Sequence, residues 1–127
     1  MVQSPGHQRS PGHRIREQLV AERMTVEVHG EQLADSNEVI RVDEDGSPPR
    51  FYFPRDSVRF EKLRRSAHTT ECPFKGIAHY FHLEQGDQLF ENAVWSYESP
   101  YDEHVALRSR LAFDADRIPP LQVGRHR

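Results

Sequence analysis

Between Gly76 and Tyr97 the chain has two strand-like runs on either side of a Gly86-Asp87 pair, and no other stretch restricts the fold so tightly. Successive side chains of a strand point to opposite faces. Ile77, His79, Phe81 and Leu83 therefore share one face of the first run, and Ala78, Tyr80 and His82 share the other. Gly86 and Asp87 supply the turn, and Gln88 to Tyr97 returns as the partner strand. With Glu84 to Asp87 as the loop, Leu83 pairs with Gln88 and Gly76 lies opposite Trp95. A hairpin of this length needs further strands to cover its edges and its apolar face.

Those strands are legible on both sides of it. Thr25 to His29 alternates, Gly30 turns, and Gln32 to Ala34 resumes extended chain. Glu38 to Val42 follows, then an acidic loop from Asp43 to Pro49, then Arg50 to Phe53, ended by Pro54, which cannot donate to a sheet ladder. Pro54 to Leu63 carries a helix-start signal, with Val58 and Leu63 turned inward. Asp102 opens a helical turn through His104 and Leu107, and Arg110 to Phe113 reads as the last strand. About seven short strands make a mainly β fold, closed or folded over to protect its edges.

Residues 1–23 read as a polar, unstructured tail, with only a brief helical spacing of Ile15, Leu19 and Glu22. The domain is expected over residues 24–123, with 124–127 as a second tail. At 127 residues the chain suffices for one core without disulfides, and its single cysteine excludes an internal one. No apolar run approaches the roughly 18 to 20 residues of a membrane helix, so a soluble, cytoplasmic chain without a membrane partner is expected. Between Thr25 and Ile118 there are 18 acidic and 11 basic side chains, a balance that argues against nucleic acid as a partner. The basic run of Arg55, Arg59, Lys62, Arg64, Arg65 and Lys75 is the exception: either a solvated face or a site for an anion.

The candidate site centres on Thr70 to Tyr80, which holds Cys72, Pro73, Lys75 and Gly76. Cys72 is either a nucleophile or redox thiol, tuned by Lys75 or His68, or a small buried side chain. Lys75 is either a contact for an anionic group, with Gly76 letting the backbone approach, or a turn lysine in solvent. Tyr52, Tyr80, Trp95 and Tyr97 offer an aromatic wall with polar tips, and Arg55 and His68 join them as candidate ligand-binding residues. The expected activity is binding of a small anionic or aromatic molecule, with catalysis through Cys72 or a structural role as alternatives. His79 and His82 fall on opposite faces of a strand and do not chelate together, and no metal or cofactor is expected.

Five ordered segments carry a resemblance: Leu33-Ala34-Asp35-Ser36, Tyr52 to Val58, Cys72 to Tyr80, Trp95-Ser96-Tyr97 with Pro100, and Leu111-Ala112-Phe113. Together they span about residues 25 to 118. In them the chain resembles the bacterial domain of unknown function 427, a family also labelled nucleotidyltransferase-like. The resemblance implies a compact, tent-like β domain shared with the zinc-binding Mss4 proteins and methionine sulfoxide reductase B. Those relatives often hold zinc with two pairs of cysteines, and one cysteine cannot supply such a site. The sequence also carries neither a Gly-rich phosphate loop nor the paired aspartates that nucleotidyl transfer requires.

Overall fold

A computed structural model describes residues 2–126. Its strands are, in chain order, β1 (Ile15–Leu19), β2 (Met24–Val28), β3 (Glu31–Ser36), β4 (Ile40–Glu44), β5 (Arg50–Tyr52), β6 (Leu63–Cys72), β7 (Gly76–Gln85), β8 (Gln88–Tyr97), β9 (Ala112–Phe113) and β10 (Leu121–Arg125). They form three antiparallel sheets, ordered β1-β4-β5, β10-β2-β3 and β6-β7-β8-β9. The fold is mainly β, as the alternating runs predict, and among the described residues no sheet closes into a barrel. One short helix, α1 (Pro5–Arg9), precedes the strands, and 3-10 turns at Arg55–Ser57, Phe60–Lys62 and Asp102–Leu107 interrupt them.

The β7–β8 hairpin lies between two cores. Phe81 pairs with Val94, and both belong to a cluster with Val26, Val28, Leu33, Phe53, Phe113 and Leu121. Tyr80 pairs with Trp95 and Ala78 with Tyr97 on the opposite face, where they meet Ile40, Val42 and Tyr52. Both faces are covered, so Ala93 to Tyr97 is an unbroken buried run. Ile77 shares a face with Phe81 yet is half exposed, because that end of the face lies beyond the first cluster.

The hairpin register differs from the expected one. Gly86 and Asp87 alone form the turn, with Gln85 opposite Gln88 and Gly86 at φ +58°. A bulge between Phe81 and Leu83, opposite Asn92 at φ +51°, shifts the pairing again, and Trp95 faces Tyr80 instead of Gly76. The first residues of the candidate stretch, Thr70 to Cys72, are strand. β6 runs to Cys72, which pairs with Gly76 across a tight Pro73-Phe74-Lys75 turn.

Within the described residues the expected tails hold helix and strand, and Met1 and Arg127 lie outside the described residues. Ile15 and Leu19 are four apart, a spacing that a helix face and a strand face satisfy equally. The chain takes the strand, because β4 offers its edge: Ile15 pairs with Glu44 and Leu19 with Ile40. At the other end Gly124 and Arg125 extend β10 along Thr25 and Met24 of β2.

Candidate functional site

The sheet of β1, β4 and β5 and the sheet of β6 to β9 leave a cavity of about 270 Å³ between them. Strand alternation explains its lining. Ile40, Val42 and Glu44 share the inward face of β4, the first two enter the core, and Glu44 lies where the cavity opens. Arg50 and Tyr52 share the inward face of β5. Cys72 closes β6, Lys75 comes from the turn after it, and Tyr80, Trp95 and Tyr97 come from the β7–β8 pair. Ser47 and Asp114 complete the rim.

Lys75 is only 5 % exposed, and its ammonium donates to Glu44 Oε1 at 2.5 Å. The other oxygen of Glu44 meets His13 Nε2 at 2.8 Å. Burial pushes the Glu44 carboxyl up, but the hydrogen bonds from Lys75 and His13 outweigh it and hold the group below its ordinary range. Burial drives the Tyr52 and Tyr97 phenols above theirs, so both remain neutral O–H donors. The Tyr52 oxygen accepts from the Trp95 indole N–H at 3.0 Å. Arg50 lies over the Trp95 ring at 5.5 Å and donates to Asp116 at 2.6 Å.

Of the residues nominated from sequence, Tyr52, Cys72, Lys75, Tyr80, Trp95 and Tyr97 line this one cavity. Three others lie outside it. Arg55 donates to the Ser109 carbonyl at 2.9 Å and to Ser96 and Glu98, and it rests over Phe60 and Phe81 on the opposite side of the sheet. His68 is exposed on β6 with its ring 4.8 Å from that of Tyr80, in a separate depression with Glu91 and Arg117. Gly76 has φ +124°, and a Cβ there would come 3.3 Å from the Ser99 carbonyl, so the backbone it admits is the chain's own.

Glu44 and Arg50 were missed. The Asp43 to Pro49 stretch reads as a loop, yet counting on from Ile40 and Val42 puts a carboxylate at the next inward position. The basic run resolves as well: Arg55 and Arg65 pair with Glu98, Arg59 and Lys62 with Glu31, Arg64 with Glu84 and Lys75 with Glu44. Arg50, outside that run, is the cation facing the cavity with its partner, Asp116, in solvent.

Among the described residues no group of three His, Cys, Asp or Glu side chains is placed to hold a metal, and no helix is long and apolar enough to cross a membrane. The arrangement suits a ligand that accepts hydrogen bonds. Two neutral phenols, a thiol and a guanidinium border it, and rings form much of its wall. No curated protein matches the sequence. The model of the domain of unknown function DUF427 matches residues 17–124, from inside β1 to β10 and across every strand that builds the cavity, and the chain belongs to that family.

Proposed function

We propose that this domain binds a small molecule of about one substituted ring, with a carboxylate or similar anionic group directed to Arg50. The observation that carries the reading is convergence: six side chains from four strands and a turn meet at one cavity with a partly exposed guanidinium at its edge. Size narrows the ligand class. A cavity of about 150 Å³ accommodates benzene, and about 270 Å³ accommodates a ring with one or two substituents but not a whole nucleoside triphosphate. Lys75 is already neutralised by Glu44, which leaves Arg50 for the anion and the phenols for its oxygens.

Catalysis through Cys72 is the second reading, favoured by the half-buried thiol in the same cavity. Its nominated tuning groups support it less: Lys75 is held by Glu44, and His68 lies outside. Trp95 is the only tryptophan, so its emission reports on the cavity directly. Titration with 4-hydroxybenzoate and with neutral benzyl alcohol should give saturable change for the anion and about tenfold weaker binding for the alcohol. Arg50→Ala should abolish that difference, and Cys72→Ala should leave both unchanged. Unsaturable change with both probes, or anion preference surviving Arg50→Ala, would overturn the reading.

A further inference from the structure

Residues 2–13 are not needed to build the sheets, yet they are fastened to two neighbouring turns, Pro73-Phe74-Lys75 and Asp102–Leu107, where the Asp102 amide donates to the Val2 carbonyl at 3.0 Å. The Pro73 carbonyl accepts from the Gly6 amide at 2.7 Å and from the Ser4 hydroxyl at 2.8 Å. Both Glu103 carboxylate oxygens accept from the Ser4 amide. The Phe74 ring lies between two histidines, with His7 edge-on at 5.0 Å and His13 stacked at 4.3 Å. There is no spare room: a Cβ on Gly6 would come 2.7 Å from the Pro73 oxygen and 2.8 Å from Phe74.

The two histidines are held in ways that respond oppositely to protons. His7 Nε2 meets Nε2 of the buried His104 at 2.8 Å, and His104 Nδ1 meets Glu17 Oε2 at 2.6 Å. The Glu17 carboxylate requires a proton on Nδ1. An N–H···N bond requires one bare nitrogen, so the pair tolerates one cation. A second proton makes both Nε2 atoms donors and places two positive rings in contact. His13 faces Glu44 instead, so a proton on it adds an ion pair. The remaining charged neighbours are Glu103 beside His7 and His104, and Asp45 and Lys75 around the His13–Glu44 contact.

Taking the cavity as the binding site, we propose that α1 is a clamp on the turn that carries Lys75, released by acid through the His7–His104 contact while the His13–Glu44 end stays fastened. The clamp is therefore closed while the pair holds one bare Nε2, and it opens once acid charges both rings. Opening frees the Pro73 carbonyl and one side of Phe74, and the cavity wall at Lys75 loosens with them.

Amide hydrogen exchange, corrected for its intrinsic pH dependence, tests this. Between pH 7.5 and 5.5 residues 4–10 should lose about tenfold in protection, while β1 keeps its own. His7→Gln should remove the acid response, and His13→Gln should preserve it. Gly6→Ala should open the clamp at pH 7.5 and weaken 4-hydroxybenzoate binding as acid does in the parent chain. Protection that ignores pH, or an unchanged acid response in His7→Gln, would overturn the clamp. Open exchange in Gly6→Ala with undiminished probe binding would overturn its link to the cavity. A probe that never binds refutes the cavity reading alone, because the exchange result decides the clamp separately.

Discussion

Replacing Glu44 with glutamine removes one charge from a pair whose other member has nowhere to go. The Lys75 side chain is 7 % exposed and that of Glu44 19 % exposed, so the ammonium would remain buried opposite a neutral amide. Losing one partner of a fully buried pair costs about 3–5 kcal/mol, and a hydrogen bond to a charged group contributes about 1.5–3 kcal/mol. The amide oxygen still accepts from Lys75 and Glu44 retains some water contact, so a cost of about 2–3 kcal/mol is expected. Urea unfolding followed by Trp95 emission reads it directly. With a slope of about 1–3 kcal/mol per molar, the midpoint should fall by roughly 0.7–3 M. Lys75→Met combined with Glu44→Gln should cost less than the sum of the two, a coupling of at least about 1 kcal/mol. The pH dependence has a fixed sign. A carboxyl held below its ordinary value of about 4.3 contributes stability that is complete above that value and lost as pH falls through the depressed folded value. The deficit of Glu44→Gln should therefore shrink below about pH 4. A cost under about 0.5 kcal/mol, or a deficit constant from neutral to strong acid, would refute the account.

Two further substitutions test the geometry. Tyr52→Phe deletes the acceptor of the Trp95 indole N–H in the second core and should destabilise the protein by about 1–3 kcal/mol in the same urea assay; a neutral result would mean that the indole finds another partner. Gly76→Ala places a side chain at φ +124° against the Ser99 carbonyl and should cost about 1–3 kcal/mol, with the thermal midpoint lowered accordingly; a stabilised variant would contradict the positive-φ turn.

Much of the sheet framework was readable because turn residues mark where strands end: Gly30 separates β2 from β3, and Gly86-Asp87 separates β7 from β8. Register was not, because it depends on features that leave little trace in an apolar pattern. A bulge opposite Asn92 and a two-residue turn displaced Trp95 by four positions along its partner. The cavity survived that displacement because Tyr80, Trp95 and Tyr97 still face the same core, and because the Cys72–Gly76 pair brings the turn beside them. Arg55 was nominated as part of a cationic run, and sequence does not reveal that Glu98, Ser96 and Ser109 already occupy its donors. The N-terminal residues were misread for a related reason: their order comes from the edge of β4 and the surface of a distant turn, not from local propensity.

The Lys75–Glu44 pair distinguishes a framework from a site. Most ion pairs of the chain are partly exposed, and exposed pairs contribute about 0–1 kcal/mol each. A buried pair is different, because desolvating both groups offsets most of their attraction, and apolar residues of similar volume often serve stability as well or better. Stability alone therefore gives little reason for Lys75 to lie 5 % exposed on a tight turn facing a carboxylate. The pair does fix geometry: it ties the turn after β6 to the end of β4, the two points between which the cavity opens, and His13 brings the segment before β1 into the same linkage. A ligand of the proposed kind, approaching Arg50, would meet a wall whose charges are already balanced. On the proposed reading its selectivity would then come from shape, from the neutral phenols and from one guanidinium, which is the basis for expecting a single-ring anion instead of a polyphosphate.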